Sequence, residues 1–408
     1  MNITWLEMKK ALNSPMVLTL LVLMLGWNVF LIVSDSHDKK ELTVTTDIIN
    51  SYGVTFNDET LKAMEYDILA KLELLGITST EAFYDEMTYE LYSTSSRAEQ
   101  EQIDEVSILL SYLHFAQIVD ERYEKINLED AKQSFYKTYN VPDWLKPYFD
   151  KQYTNWDERL TEIVATNEHK NWFFLGDYFK HSDLFKDTFK LIALEGLMLV
   201  TLITAIIVNY EFEHRTQLVT YATKRGRKLL LNKIVASVMT SLLALFVLFT
   251  VTLGTYLSIY DYSAIWQSVV SSGFNWEYKL PYITWWEIPY WLYFVLALAI
   301  VGAVLLLAVF ITISISIFVK NSYYTWLICL IGFLGMFVVP SFFTNGGVMW
   351  VMHYNLTLLL LNSHNYFNGG DSFTMEKFHE VWTLLVWTVI VSTSFLLAIR
   401  HFNRKDVV

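Results

Sequence analysis

The stretch YEFEHRTQLVTYATKRGRKLLLNK, residues 210–233, separates two apolar runs at 188–209 and 234–259. Each run is long enough to cross a bilayer, because a membrane helix needs about 20 consecutive apolar residues. The stretch between them carries six basic residues among apolar ones. This alternation of long apolar runs with a charged connection predicts a protein that crosses a membrane more than once.

Four more apolar runs follow the same pattern, at 15–33, 288–319, 323–339 and 381–399, and 53% of the 408 residues are hydrophobic. The sequence therefore predicts an all-α integral membrane protein with six transmembrane helices. Residues 34–187 would form a large α-helical extracytoplasmic domain between the first and second helix. Within it, Leu61, Met64, Ile68 and Leu72 recur at helical spacing.

Charge predicts the orientation of these helices. Residues 34–187 hold 31 acidic and 15 basic residues. Most basic residues of the remaining chain cluster in alternate connections: Lys9, Lys10, the six in 210–233, Lys320, Arg400, Arg404 and Lys405. Because short basic connections stay inside, the N-terminus, 210–233, the loop at Lys320 and the tail at 400–408 are predicted to be cytoplasmic. A bacterial plasma membrane fits a long outer domain without cysteine.

The apolar and basic residues of 210–233 favour an amphipathic helix against the inner leaflet. Three further segments are predicted to lie at the membrane surface. Residues 1–14 favour an amphipathic elbow helix on the inner leaflet, with a disordered tail as the alternative. The run at 15–33 is predicted to be retained rather than cleaved as a signal peptide, because no small-residue cleavage site follows it. The loop at 260–287 is rich in tryptophan, which predicts an outer aromatic belt with an interfacial helix. Residues 340–380 predict a re-entrant or interfacial segment.

Motifs of catalysis are missing from the sequence. No G-x-x-x-x-G-K-[ST] phosphate loop occurs, so this chain is not expected to bind ATP by such a loop. The pair His379–Glu380 lacks the second histidine of H-E-x-x-H, and no metal site is predicted. The chain is therefore not expected to be an enzyme or to hold a cofactor of its own, and no nucleic-acid partner is expected.

Polar residues inside the spans are candidates for a transport path. Glu195 lies within the second span, where a charge is costly unless it faces protein or water. The alternative is that Glu195 lies at headgroup depth and is solvated. Thr312 and Ser314 in the fourth span could also line a path, or could contribute only to helix packing.

The chain resembles the permease subunits of ABC-2 type ABC transporters. The likeness rests on LEMKKALNSP before the first span, on EFEHRTQLVTYATKRGRKLLLNK after the second, and on six spans with both ends inside. It covers the membrane part only, and the outer domain at 34–187 is an insertion that the resemblance does not assign to a subfamily. The sequence departs from the common pattern at Arg215 and Ala222, where glycine and proline are frequent.

This resemblance implies an export mechanism with separate subunits. A cytoplasmic ABC ATPase, which would bind the ATP and Mg²⁺, would dock on the 210–233 coupling segment. The expected contact residues are Glu213, Arg215, Arg225, Arg227 and Lys228. A second permease copy or paralogue would complete the path, and membrane lipids would surround it. The outer domain and the outer aromatic belt would suit an amphipathic cargo, so an antimicrobial peptide or amphipathic compound is the cargo expected.

Two other functional classes remain open. A secondary transporter or channel would need ionisable groups or broken helices within the spans. A membrane-anchored receptor or assembly protein would use the outer domain to recognise its ligand.

Overall fold

A computed structural model of the chain describes residues 3–34, 40–86, 88–175, 183–221, 226–277, 280–369 and 372–404. It contains six helices long and apolar enough to cross a membrane, which confirms the predicted all-α membrane protein. These spans are Pro15–Ser34, Leu184–Glu213, Leu229–Ile259, Tyr290–Val319, Ser322–Phe342 and His379–Arg404. The second and third spans extend about one turn beyond the predicted 188–209 and 234–259, into the charged connection.

We number the α-helices in chain order. Those of the bundle and its connections are α1 (Ile3–Leu12), α2 (Pro15–Ser34), α10 (Phe189–Glu213, preceded by a π-helical turn at Asp183–Thr188), α11 (Gln217–Tyr221), α12 (Leu229–Ile259), α13 (Tyr290–Val319), α14 (Ser322–Val338), α15 (Gly346–His353), α16 (Leu356–Leu361) and α17 (His379–Arg404). Helix α10 is the central one, since 78% of its most apolar 18-residue window is buried inside the protein.

Successive spans run in opposite directions. The turn between α13 and α14 shows how locally this is encoded, because Lys320 adopts a left-handed conformation with φ of 56° and ends α13. Asn321 then caps α14 by accepting a hydrogen bond from Tyr324 N at 3.0 Å. We call the end of the bundle that carries α1, the 214–228 connection and this turn the N-terminal end. Phe402 near the end of α17 also lies there, with its ring 5.5 Å from that of Tyr221.

The long segment after α2 is helical, as predicted. It forms α3 (Lys40–Tyr52), α4 (Asp58–Leu74), α5 (Thr80–Glu86), α6 (Tyr89–Thr94), α7 (Arg97–Glu124), α8 (Leu128–Thr138) and α9 (Lys146–Ala165). Capping boxes at Asn57 and Ser96 begin α4 and α7. The periodic residues Met64, Ile68 and Leu72 are buried, so they form the core that their spacing predicts.

Two later connections, 260–289 and 343–378, pack onto these helices and form one unit with them, which we call the distal unit. Arg159 on α9 donates from Nε to Thr284 O at 2.9 Å, and the tilted rings of Trp350 and Tyr148 lie 5.2 Å apart. The hydrophobic core of the distal unit continues into the bundle around Phe185 and Tyr293. The helices α3–α9 are therefore not a separate body carried on a linker.

The interfacial helix predicted at 260–287 is wrong. Within the described residues, this connection contains a 3₁₀ turn at Ile265–Gln267 and a two-stranded antiparallel hairpin, β1 (Trp276–Glu277) and β2 (Leu280–Pro281). Its tryptophans pack on protein, since Trp285 is 5% exposed and Arg122 lies 3.9 Å over the ring of Trp276. Tryptophan enrichment reflects the core of the distal unit here, because the same side chains suit a core and a membrane surface.

The 340–380 segment contains two short helices, α15 and α16. Helix α16 is buried against α10, α13 and α14. Thr357 within it donates to Phe333 O of α14 at 2.9 Å. A short apolar helix that is supported in this way by neighbouring spans suits the predicted re-entrant segment better than an interfacial one.

We expect Gly273→Ala to weaken the packing of the 260–289 connection against α7 and the turn that follows α9. A Cβ atom at this position would lie 2.8 Å from His169 O and would also meet the Val119 side chain. The expected loss is about 1–3 kcal/mol in the free energy of unfolding, as for other overpacked sites. The matched control is Gly254→Ala in α12, where a Cβ meets nothing within 4 Å. Equal stability of the two variants in thermal unfolding would contradict this packing.

Candidate functional site at the N-terminal end of the bundle

Helix α1 is docked on the bundle. The predicted helix within 1–14 is confirmed as Ile3–Leu12, and the disordered tail is wrong. The buried residues of α1 are Glu7, Met8 and Ala11, which face α10 and α12, whereas Trp5 is 45% exposed. Burial of an acidic side chain on this face requires a partner, because an unpaired charge is costly away from water.

Glu7 belongs to a network of four charged groups that come from three helices. Lys10 donates from Nζ to Glu7 Oε1 at 2.7 Å and to Glu211 Oε1 at 2.6 Å. Lys233, at the start of α12, donates to Glu211 Oε2 and lies 3.7 Å from Glu7 Oε2. The same Nζ donates to the backbone oxygen of Ile207 at 2.5 Å.

The network is balanced and largely buried. Among the described residues it contains two carboxylates and two ammonium groups, so its formal charge is zero, and Lys10 is its most exposed member with 18% of its side chain exposed. Lys233 is 0% exposed, and the side chains of Glu7 and Glu211 are 5% and 4% exposed. Within such an environment the four groups hold each other in place, since loss of any one leaves an uncompensated buried charge. The network therefore fastens α1 to the facing ends of α10 and α12.

The sequence singled out Lys233 only as one of six basic residues. The partners Glu7, Lys10 and Glu211 were missed as a site. The pairing of Glu7 with Lys10 could have been found, because residues three apart share a helix face. No signal in a single sequence pairs Glu211 with Lys233, which lie on different helices.

The coupling segment proposed at 210–233 is not one helix. Helix α10 continues to Glu213, α11 covers Gln217–Tyr221, and a 3₁₀ turn at Gly226–Lys228 leads into α12. The amphipathic helix expected there is therefore wrong, because the outer parts of the segment extend the two spans. The connection left between the two spans is therefore 214–228, shorter than the predicted 210–233.

The five expected ATPase contacts fall into three groups. Arg215 and Lys228 are exposed, and Arg215 has a left-handed backbone with φ of 55°. Glu213 is also exposed, but its Oε1 accepts a hydrogen bond from Ser322 N at 2.6 Å and so caps α14. Arg225 and the side chain of Arg227 lie outside the described residues.

Glu195 lies well within the second span. The span begins at Leu184, so Glu195 is eleven residues, or about 16 Å, along the helix. Its side chain is buried, and Asn28 of α2 donates from Nδ2 to Glu195 Oε2 at 2.7 Å and to Thr252 Oγ1 of α12 at 3.0 Å. Simple solvation of Glu195 at headgroup depth does not agree with this burial.

Buried hydroxyl groups lie between this cluster and the charged network. Thr204 on α10 and Ser237, Thr240 and Ser241 on α12 are buried, and their hydroxyls find no hydrogen-bond partner among the described residues. Glu211 contacts Lys233 near one end of the two antiparallel helices, and Asn28 links Glu195 to Thr252 nearer the other. The four hydroxyls lie between these two contacts. We call the line of polar groups from Glu211 and Lys233 to Glu195 and Thr252 the polar seam between α10 and α12.

Thr312 and Ser314 are both bonded within their own helix. Thr312 Oγ1 donates to Ala308 O at 2.7 Å, and Ser314 Oγ donates to Phe310 O at 2.8 Å. Both side chains are buried, and Thr312 also contacts Cys329 Sγ at 3.5 Å. This arrangement satisfies the hydroxyls locally and suits packing of α13 against α14.

We expect Asn28→Ala to destabilise the bundle by about 1–3 kcal/mol, because it removes a donor from a buried carboxylate. Glu195→Gln is the matched control, since its amide oxygen can still accept from Asn28 Nδ2. The expected result in equilibrium unfolding from mixed micelles is a clear loss for the first variant and little change for the second. A larger loss for Glu195→Gln would show that the charge itself stabilises the cluster.

Among the described residues, no group of three or more His, Cys, Asp or Glu side chains is placed to hold a metal ion. The chain matches no protein-family model, no curated protein and no solved structure.

Proposed function

We propose that this chain is the transmembrane permease subunit of an ATP-driven exporter of the ABC-2 type. In this proposal the N-terminal end of the bundle faces the cytoplasm of a bacterial cell, and a separate ATPase docks on the exposed part of the 210–233 segment. A second permease copy or paralogue completes the path. The cargo is an antimicrobial peptide or an amphipathic compound.

The observation that carries this proposal is the buried network of Glu7, Lys10, Glu211 and Lys233. A mechanism driven from outside the membrane needs a stiff link between the surface that receives the force and the spans. The 214–228 connection joins α10 directly to α12, and the network clamps both helix ends to α1. A displacement of the connection would therefore move two spans and the elbow helix together.

The test is purification of the tagged protein from its native host in mild detergent. The expected companion is a stoichiometric ATPase with a phosphate loop, lost when Arg215 and Lys228 are both changed to glutamate. These two are the sharpest positions because both are exposed, whereas reversing Glu213 would also uncap α14. Arg400→Glu, an exposed change at the same end, is the matched control and should retain the ATPase.

Purification without any ATPase, under conditions that keep known complexes together, would overturn the proposal. Retention of the ATPase by the Arg215→Glu, Lys228→Glu variant would place its docking surface elsewhere on the chain.

A secondary transporter or channel is the second candidate, and the polar seam between α10 and α12 favours it. Buried ionisable and hydroxyl groups within spans are typical of ion paths. This candidate predicts transport by the purified protein in liposomes without ATP, abolished by Glu195→Gln. The exporter predicts no such transport without the ATPase.

A further inference from the structure

A groove opens between α1, α10 and α14 at the N-terminal end of the bundle. Its volume of about 590 Å³ lies in the range of small-molecule sites. The groove is lined by residues of α1, of the turn from α1 into α2, of the second half of α10 and of the first turns of α14. The charged network lies beside this groove but does not fill it.

The groove is polar at its mouth and apolar at its deep end. Lys9, Lys10, Ser14 and Glu213 line the groove and belong to the helix ends at the N-terminal end of the bundle, where its mouth lies, and Glu213 already accepts a hydrogen bond from Ser322 N. The deep end is formed by Leu202 and other apolar side chains of α10 and α14. Leu202 precedes Glu213 by eleven residues, so the apolar part reaches about 16 Å along the span.

The groove is also open toward the side of the bundle. Met16 and Tyr323 on its rim are each 59% exposed, and Leu6 is 38% exposed. In a membrane these side chains would face lipid, because they belong to the first turns of two spans and to the elbow helix. A ligand could therefore enter from the bilayer rather than from water.

We propose that this groove binds one anionic phospholipid of the adjacent leaflet. The phosphate lies beside Lys9 and Lys10, the glycerol region meets Asn13 and Ser14, and an acyl chain lies along the apolar part. Basic pockets between membrane helices are suited to such headgroups. Lys9 is the main determinant of charge recognition, since Lys10 is already bonded to Glu7 and Glu211. The bound lipid would bridge α1 to α14.

The choice of a lipid over a protein partner rests on depth and charge. A cytoplasmic protein cannot reach apolar side chains 16 Å along a span, whereas an acyl chain can. A zwitterionic lipid would fill the apolar part equally well but would gain less from the positive charge of Lys9. The groove is thus selective for a negative headgroup on an apolar tail.

The test is native mass spectrometry of the purified chain, titrated with phosphatidylglycerol or with phosphatidylcholine of the same acyl chains. We expect preferential binding of phosphatidylglycerol, weakened about fivefold by Lys9→Gln, which is the loss expected for one lysine near an anionic surface. Arg400→Gln removes an exposed cation at the same end but outside the groove, and should leave the preference unchanged. Ile206→Trp, which fills the deep end, should weaken both lipids.

Equal binding of the two lipids, or equal weakening by Lys9→Gln and Arg400→Gln, would overturn the site. Competition by inorganic phosphate at millimolar concentration would also overturn it, because the apolar part would then contribute nothing. No ATPase is present in this assay, so its outcome does not depend on the proposed exporter function.

Discussion

Lys233→Met is expected to lower the free energy of unfolding by about 3–5 kcal/mol, the range measured when one partner of a buried ion pair is removed. The side chain is fully buried, and its ammonium group donates to Glu211 and to two backbone oxygens of α10, those of Ile207 and Val208. The substitution keeps the volume of the side chain nearly unchanged, but it leaves Glu7 and Glu211 with one cation instead of two. The measurement is equilibrium unfolding in mixed micelles.

Two controls separate the charge from the position. Lys228→Met changes an exposed lysine one turn earlier and should leave stability unchanged within error. The double variant Glu211→Gln, Lys233→Met restores charge balance and should recover most of the loss, because a neutral pair of similar volume can replace a buried ion pair at little cost. If the double variant is as unstable as the sum of the single changes, the network is not coupled.

A second readout follows from the position of α1. When the network is broken, α1 should leave α10 and α12 before the spans unfold, because α1 is a single helix of 10 residues at the end of the bundle. Trypsin cleavage after Lys9 or Lys10 should then become faster at temperatures where the bundle is still folded. Unchanged cleavage in Lys233→Met would show that apolar contacts through Met8 and Ala11 alone hold α1 in place.

The sequence predicts the spans well because the length and hydropathy of an apolar run are enough to identify a membrane helix. All six predicted runs correspond to helices, and α2 differs from its predicted bounds by one residue. The predicted bounds are wrong where a helix continues into a charged stretch, as at the ends of α10 and α12. A lysine at 233 suggests a surface position, yet α12 includes it, since Glu211 and backbone oxygens satisfy the charge.

The connections were harder to predict for a related reason. A tryptophan-rich segment between spans fits both a membrane surface and a protein core, and only tertiary contacts distinguish the two. Arg122 over Trp276 and the burial of Trp285 depend on helices more than 100 residues earlier in the chain. The groove at α1 and the pairing of Asn28 with Glu195 likewise join residues that no periodic pattern relates.

The distal unit contains the second large expected effect, at Arg159. Its Nη2 donates to Glu168 Oε1 at 2.6 Å and to Glu168 Oε2 at 2.7 Å, and its Nε donates to Thr284 O. Both side chains are about 5% exposed, and Ser271 also donates to Glu168. One arginine therefore fixes α9, the turn after it and the 260–289 connection to one another.

Arg159→Met should destabilise the protein by about 3–5 kcal/mol, because Glu168 then remains buried without its cation. Arg97→Met is the control: Arg97 pairs with Glu101 at 3.4 Å on the surface, where its side chain is 93% exposed, and no measurable change is expected. The double variant Arg159→Met, Glu168→Gln should recover most of the loss.

Arg159→Met differs from Lys233→Met in the region that should unfold first, which is the distal unit. Loss of the Arg159–Glu168 pair should expose the buried Trp172 and Trp285, so tryptophan fluorescence should change at a lower temperature than helix content. Helix content should persist because the six spans do not depend on this pair. Simultaneous loss of both signals would instead mean that the distal unit and the bundle unfold as one body, which their shared hydrophobic core would explain.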